Sequence, residues 1–319
     1  MGQALTSAEP RPATRRTISR RPLLTGIVVL LTIVIAGCSG LPGLDRPVPT
    51  GPPVTVPPPP AVKGPPAGPV RSGLVAFGDF GGGEAQPSVA RAIERWAAGH
   101  RVDALVTIGD NVYERGEPER FAAQLDEPYQ ALRRTRPLWV TLGNHDSHGG
   151  HGAEQLRHLG LPALPYAKSL PGLQLLFLDA NRVDPAQTSW LEARLGEPGP
   201  ALRAVVFHHP AWSCSQHDSS PQVVGSWVPI IERHRVALVL NGHDHNYQRF
   251  VSDGGVTYVV TGGGGKPLYP LDACATGTPR RVAGIVRHHF VAVEVRDGSL
   301  AVTVVADDDI VLDRSVIRR

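Results

Sequence analysis

The chain has 319 residues, of which 19% are charged and 41% hydrophobic, and it carries a formal net charge of +3. This length allows one large domain or two ordinary ones, and this composition excludes a wholly disordered or collagen-like chain. The first 37 residues hold five Arg and one Glu, so the basicity is local and we expect no nucleic-acid binding.

Residues 1–37 have the pattern of an export signal. The Arg-rich segment 11–21 precedes an apolar run, residues 23–37, which is shorter than the roughly 20 residues that a membrane-spanning helix needs. The run ends in Ile-Ala-Gly before Cys38, which resembles a bacterial lipobox, and residues 19–24 resemble a twin-arginine signal for export of folded proteins. We therefore expect a lipoprotein-type signal peptide and an exported chain. Lipidated Cys38 would anchor it to the outer face of the bacterial cytoplasmic membrane or cell envelope, and an uncleaved anchor helix is the alternative.

Residues 38–71 are rich in Pro and include four consecutive Pro at positions 57–60. Such a segment cannot form a core, so we expect a disordered, PPII-like linker between Cys38 and a globular domain. Residues 72–319 are then predicted to form that single domain.

The globular region alternates short apolar runs, rich in β-branched residues, with helical patterns. The predicted strands are residues 74–77, 103–108, 138–142, 173–178, 204–207, 236–240 and 257–261. The predicted helices are residues 87–98, 118–134, 185–195 and 221–234. From residue 287 the pattern predicts successive strands, with a turn at Asp297-Gly298. This order predicts an α/β fold in which the first strands pair in parallel.

Polar side chains follow the predicted strands at the points where they end. Asp79, Asp110, Asn144 and His208 follow four of the strands, and residues 241–245 follow a fifth. Each residue alone could stabilise a turn or cap the next helix. Turn chemistry does not require the His-x-His pattern of residues 243–245, however, and open α/β sheets bind ligands at this edge.

These residues lie in five motifs that occur in order. The motifs are Asp79-Phe80-Gly81, Gly109-Asp110-Asn111-Val112-Tyr113, Gly143-Asn144-His145-Asp146, Val205-Val206-Phe207-His208 and Gly242-His243-Asp244-His245. Together they resemble the calcineurin-like metallophosphoesterases, and more specifically the small, single-domain purple acid phosphatases. Most of that superfamily has a His ligand where this chain has Gly81. In the purple acid phosphatases a Tyr of the second motif fills the vacancy, and Tyr113 stands at the matching position. The resemblance implies a four-layer α/β/β/α sandwich with a dinuclear metal site at the carboxyl ends of the strands.

The resemblance also implies a ligand set in which Asp110 bridges two ions. The first ion would be held by Asp79, Asp110, Tyr113 and His245, and the second by Asp110, Asn144, His208 and His243. A phenolate is a hard anionic donor suited to Fe(III), and the Asn/His/His set suits a divalent Fe, Zn or Mn ion. His208 is assigned rather than His209 because the ligand of the family lies two residues before a Pro, and an extended backbone would turn His209 away.

By the same resemblance, a metal-bound hydroxide would attack a phosphorylated small molecule, a phosphomonoester, and His145 would protonate the leaving alcohol. Asp146 could orient His145, and His217 would also lie near the substrate. A purely structural His145–Asp146 pair and a surface His217 stay open as alternatives. Two other functions also stay open: a phosphodiesterase or nucleotide hydrolase with the same dinuclear site, and a non-catalytic envelope lipoprotein.

Cys214 lies in the loop after the His208 strand, and Cys274 follows the Gly stretch after the predicted strand 257–261. Export favours a disulfide between them. Four consecutive Gly at positions 262–265 precede no helix with Lys-Ser/Thr, so they do not predict a nucleotide-binding P-loop. We expect instead that their backbone approaches the metal site closely.

Overall fold

The computed structural model of the chain describes residues 68–319. The predicted signal peptide, Cys38 and the Pro-rich segment as far as residue 67 lie outside the described residues, and their assignments stay predictions. Within residues 68–319, no helix combines the length and the apolarity needed to cross a bilayer.

The elements of this region follow the predicted alternation. The strands are β1 (Ser72–Phe77), β2 (Ala104–Thr107), β3 (Leu138–Val140), β4 (Tyr166–Leu170), β5 (Leu173–Phe177), β6 (Leu202–Val206), β7 (Leu238–Asn241), β8 (Tyr247–Val251), β9 (Thr257–Thr261), β10 (Arg280–Ile285), β11 (His289–Arg296), β12 (Ser299–Ala306) and β13 (Val311–Arg318). The α-helices are α1 (Gln86–Gly99), α2 (Gln130–Arg133), α3 (Asn144–His148), α4 (Gly152–His158), α5 (Pro185–Gly196), α6 (Pro221–Ser226) and α7 (Val228–Arg233).

The strands form two sheets. The first sheet has the order β13-β12-β11-β1-β2-β3, and the second has the order β10-β8-β9-β7-β6-β5-β4. Strands β1, β2 and β3 are parallel, as are β5, β6, β7 and β9. The C-terminal strands β11, β12 and β13 extend the first sheet in antiparallel pairing. Because parallel strands end at the same edge, each sheet presents several carboxyl ends together.

Apolar side chains cover both faces of each sheet. Along β1, Leu74 belongs to the core between the two sheets, whereas Val75 packs with residues of α1 on the outer face, as the alternation of a strand requires. The outer face of the second sheet packs against α5 through Leu191 and against α7 through Ile231. Residues 68–319 therefore form four layers, and the predicted α/β/β/α sandwich is confirmed.

Two predicted helices are interrupted. Residues 118–134 form short 3₁₀ and π turns before α2 rather than one helix, since Pro128 has no N–H to donate within that segment. Residues 221–234 split into α6 and α7 at Trp227, because Pro229 is accepted only in the first turn of a new helix. Neither interruption alters the order of the layers.

Candidate metal centre

The polar residues predicted at the strand ends converge where the carboxyl edges of the two sheets meet. Asp79 follows β1, Asp110 follows β2, His208 follows β6 and His243 follows β7. Asp79, Asp110 and His243 have φ angles of 59°, 52° and 72°, a left-handed region that is costly for residues other than Gly. Such strain persists where surrounding structure fixes the backbone, and it clusters at functional sites.

The four residues predicted for the first ion form a connected buried set. The Tyr113 hydroxyl donates to Asp110 Oδ2 at 2.9 Å and lies 3.4 Å from His245 Nε2. His245 Nε2 in turn lies 3.5 Å from Asp79 Oδ1. Two carboxylates, a phenol and an imidazole thus surround one small volume, a donor set that suits a hard cation.

The residues predicted for the second ion share Asp110 with the first set. His208 Nε2 lies 3.3 Å from Asp110 Oδ2 and 3.1 Å from Asn144 Oδ1. Asp110, His208 and His243 offer ligand atoms that all lie within 4.8 Å of one another. The shared position of Asp110 is the one that a bridging carboxylate would need.

Backbone carbonyls fix the tautomers of two of the imidazoles. His208 Nδ1 lies 2.9 Å from the Ile108 carbonyl oxygen, and His245 Nδ1 lies 2.7 Å from that of Pro267. A ring that donates its Nδ1–H to a carbonyl presents the Nε2 lone pair on the opposite side, which is how metal-binding imidazoles are oriented. In both rings Nε2 faces the cluster.

Two of the imidazoles have the protonation state that a metal ligand needs, whereas two other predicted ligands must lose a proton to bind a cation. Burial lowers the pKa of His245 to about 3 and holds that of His243 well below its usual value, so both rings are neutral, as ligands must be. Burial raises the pKa of the Tyr113 phenol. Burial lowers the pKa of His208, but Asp110 and Asp79 raise it to about 10.

Burial raises the pKa of the Asp79 carboxyl. Burial also opposes ionisation of Asp110, but His208 and His145 together outweigh it and lower the pKa of Asp110. Cations bound between these carboxylates would supply the positive charge that the buried set otherwise takes from a proton on His208.

Glycines leave room for this arrangement. A Cβ at Gly81 would lie 2.4 Å from the Asn111 carbonyl oxygen, so no side chain fits there and the Tyr113 phenol enters the cluster instead. A Cβ at Gly262 would lie 2.8 Å from Asp79 Oδ2. The first of the four consecutive Gly therefore lies against a predicted ligand, as expected for close backbone approach.

His145 lies beside the cluster, but its partner differs from the expectation. Its Nδ1 lies 2.7 Å from the Glu114 carbonyl oxygen, its ring centroid lies 4.1 Å from that of Tyr113, and its backbone N–H donates to Asp110 Oδ1. Asp146 is fully buried and instead accepts hydrogen bonds from the backbone of Gly143, Asn111 and Val112. The expectation that Asp146 orients the His145 ring is therefore wrong, because consecutive residues of a helix such as α3 do not face each other.

His217 is brought to the cluster from a separate loop. Its ring centroid lies 3.8 Å from that of His243, and its backbone N–H and Nδ1 lie 2.8 Å and 3.3 Å from Asp244 Oδ1. Asp244 is buried and accepts a further short hydrogen bond from Ser213. No role was predicted for Asp244, although its position between the two His of the last motif was an available signal.

His209 also departs from its expected direction. Its ring centroid lies 4.6 Å from that of His243 and 5.3 Å from that of His208, so the ring stays near the cluster rather than turning away. Strand β6 ends at Val206, and the alternation of side chains on which the expectation relied does not continue past that residue.

The loops around the cluster are linked covalently. A disulfide joins Cys214, in the loop of His217, to Cys274, and their Cα atoms lie 4.8 Å apart. The second loop also contributes Tyr269, whose ring stacks on that of His245 at 4.1 Å, and Lys266, whose Nζ lies 4.1 Å from the centroid of the Tyr113 ring. Neither Tyr269 nor Lys266 was predicted, since no motif of the sequence contains them.

Comparisons with known proteins agree on one family. A family model described as calcineurin-like phosphoesterase matches residues 74–247, a segment that contains all seven predicted metal ligands. The chain is 26% identical over 236 residues to tartrate-resistant acid phosphatase type 5 of Homo sapiens, covering 60% of this chain and 72% of that protein. It is 26% identical over 230 residues to purple acid phosphatase 4 of Arabidopsis thaliana, covering 60% and 68%. A solved purple acid phosphatase from yellow lupin (Lupinus luteus) seeds superposes with a TM-score of 0.70 at 17% identity, over 78% of this chain and 54% of that one.

Proposed function

Because this chain belongs to the calcineurin-like phosphoesterase family, we propose that it is an exported phosphatase that hydrolyses phosphomonoesters at a dinuclear centre. The family and its enzyme class, the phosphoric ester hydrolases, were predicted from the five motifs, and both are confirmed by the acid phosphatases that it resembles. For the two ions we propose Fe(III) and a divalent Fe, Zn or Mn ion.

One observation carries the proposal. Seven donors from segments as far apart as Asp79 and His245 meet in a single cluster, with Asp110 in the shared position. Five of them are buried, and Asn144 and His243 are half-buried. The phenol of Tyr113 takes part where Gly81 has no room for an imidazole. An anionic oxygen donor at that place favours a ferric ion, whereas Asn144, His208 and His243 suit a divalent one.

Two cations held by these residues would neutralise the phosphoryl oxygens and lower the pKa of a water molecule for attack on phosphorus. The chain's own residues complete the reaction by moving a proton to the leaving alcohol. His145 can donate that proton from Nε2 when its ring is doubly protonated, because the Glu114 carbonyl accepts the hydrogen on Nδ1. The Asp244 carboxylate orients the His217 ring, which lies against the ring of His243.

We also propose that the mature chain is exported and held by lipid at Cys38. The basic, apolar and small-residue order of residues 1–38 supports this localisation. The disulfide between Cys214 and Cys274 supports it independently, because such bonds persist in oxidising compartments and are rare in the cytosol.

The test combines metal analysis, visible absorption and two chromogenic substrates on the chain produced in an export-competent host. We expect two metal ions per chain, a visible band from ferric phenolate, and faster hydrolysis of p-nitrophenyl phosphate than of bis(p-nitrophenyl) phosphate. Asp110→Ala should lose both the metals and turnover, whereas Asp297→Ala, at an exposed carboxylate paired with Arg71, should retain both. A preference for the diester would replace the substrate assignment, and metal binding without hydrolysis of either ester would favour a binding protein.

A further inference from the structure

Lys266 is a cation placed against the proposed ferric side of the cluster. Its side chain is only 18% exposed, and its Nζ lies 4.1 Å from the centroid of the Tyr113 ring and 3.3 Å from Glu114 Oε1. Its backbone N–H donates to the Asp79 carbonyl oxygen at 3.1 Å. The backbone of Lys266 is therefore held to the segment of Asp79, one predicted ligand. Its side chain covers the ring of Tyr113, another predicted ligand.

The ion pair with Glu114 does not account for this placement. Glu114 has a 63% exposed side chain, and an exposed pair of this kind contributes little to stability because water screens it. The contact with Tyr113 is the buried one, since that residue is only 2% exposed. A cation within about 6 Å of a ring centroid is attracted to the negative face of the ring, and the attraction grows when the phenol is ionised.

We infer that Lys266 is a positioning residue that sets the donor strength of the Tyr113 phenolate toward the ferric ion. This inference rests on the proposed function, because it requires Fe(III) bound to that phenolate. The ammonium group stabilises the filled orbitals of the negatively charged ring and withdraws electron density from its oxygen. A ferric phenolate absorbs visible light by transferring an electron from those orbitals to iron, so their energy sets the wavelength of the band.

The same segment connects Lys266 to His145. The Glu114 side chain contacts the ammonium group, and the Glu114 carbonyl accepts from His145 Nδ1 at 2.7 Å. Lys266 therefore contacts two consecutive residues. Tyr113 carries the phenol, and Glu114 holds the His145 imidazole through its backbone carbonyl. Glu114→Gln separates the two contacts, because it removes the ion pair and leaves the cation over the ring.

The test is the visible spectrum of the iron-loaded protein, with iron content and thermal unfolding measured in parallel. We expect the band of Lys266→Gln to move to longer wavelength, since the donor orbitals rise in energy when the cation is removed. Lys266→Arg should keep the band at the wild-type wavelength, because a guanidinium group also lies over aromatic faces. Lys168→Gln is the matched control, since Lys168 Nζ lies 5.8 Å from the centroid of the Tyr166 ring, which is outside the cluster. The visible band of this variant should stay at the wild-type wavelength.

Several results would overturn the inference while leaving the ferric site standing. One is an unmoved band in Lys266→Gln, or a band that loses intensity in proportion to lost iron without a change of wavelength. Another is a shift in Lys168→Gln or Glu114→Gln as large as that in Lys266→Gln. A wild-type protein that binds iron and shows no visible band would refute the ferric phenolate itself, and the inference with it.

Discussion

A buried ion pair ties the two sheets together, and its removal gives the sharpest test of how the fold is held. Asp313 of β13 accepts from Arg249 Nε at 2.7 Å and Nη2 at 3.2 Å, and from the Tyr247 hydroxyl at 2.7 Å. Arg249 and Tyr247 belong to β8 in the second sheet, whereas β13 is the edge of the first. Asp313 is 3% exposed and Arg249 is 6% exposed, so water cannot replace either partner.

Asp313→Ala should therefore lower the free energy of unfolding by about 3–5 kcal/mol, because it leaves the Arg249 charge buried without its partner. For a domain of this size the loss corresponds to a decrease in melting temperature of roughly 6–20 °C. Replacing both charged residues by apolar ones, as in Arg249→Met with Asp313→Leu, should recover part of this loss, because an ion pair repays little more than its own desolvation. The remaining loss of roughly 1–3 kcal/mol comes from the buried Tyr247 hydroxyl, which no longer has an acceptor. Metal content should be unchanged in every variant, since none of these residues belongs to the predicted ligand set.

Equilibrium unfolding in urea, followed by circular dichroism, measures the single and double variants in one cycle. A loss of less than about 1 kcal/mol in Asp313→Ala, the value for an exposed pair, would contradict the expected cost of a buried unpaired charge. A double apolar variant as unstable as the single one would also contradict it, because the loss of stability would then come from lost contacts.

Two further predictions concern a buried histidine and the loop of His217. Burial lowers the pKa of His289 to about 4, below the ordinary value near 6.5 of an unfolded chain, so its contribution to stability is complete above pH 6.5 and decreases by about 3 kcal/mol as the pH falls to 4. Urea midpoints at pH 7 and pH 4.5 should show this loss in the wild type and a smaller one in His289→Gln, and equal losses would contradict it. Asp244→Asn should lower kcat for p-nitrophenyl phosphate by up to roughly 100-fold, the lower end of what a positioned general acid contributes, with metal content and KM unchanged. Loss of metal in proportion to activity would contradict the orienting role.

The sequence predicted best those strands that are buried on both faces. Strands β1, β2 and β7 consist largely of apolar or β-branched residues, since each packs between two layers. Strand β8 was missed because Gln248 and Arg249 interrupt its apolar pattern. Both are buried, but their partners lie far away in the chain, and no local pattern could indicate that they would be satisfied.

Dependence on partners that are distant in the sequence also explains which parts of the site could be predicted. The predicted ligands could be named from the sequence because each follows a strand closely in a recognisable motif. The contacts of Lys266 with Tyr113, and of His145 with the Glu114 carbonyl, join segments separated by 153 and 31 residues respectively. Such contacts depend on how loops fold over the sheet edge, and sequence adjacency instead pointed to Asp146 as the partner of His145.

The cluster concentrates features that destabilise a fold, and its surroundings explain why it persists. Two buried carboxylates lie close together and three predicted ligands have positive φ, arrangements that each cost on the order of 1–3 kcal/mol when uncompensated. Backbone donors offset part of this cost, because the N–H of His243 donates to Asp79 and that of His145 donates to Asp110. Cations bound between these carboxylates would offset more of it by supplying positive charge. The packed parallel strands therefore hold a pre-formed arrangement, and we expect bound metal ions to stabilise the fold further.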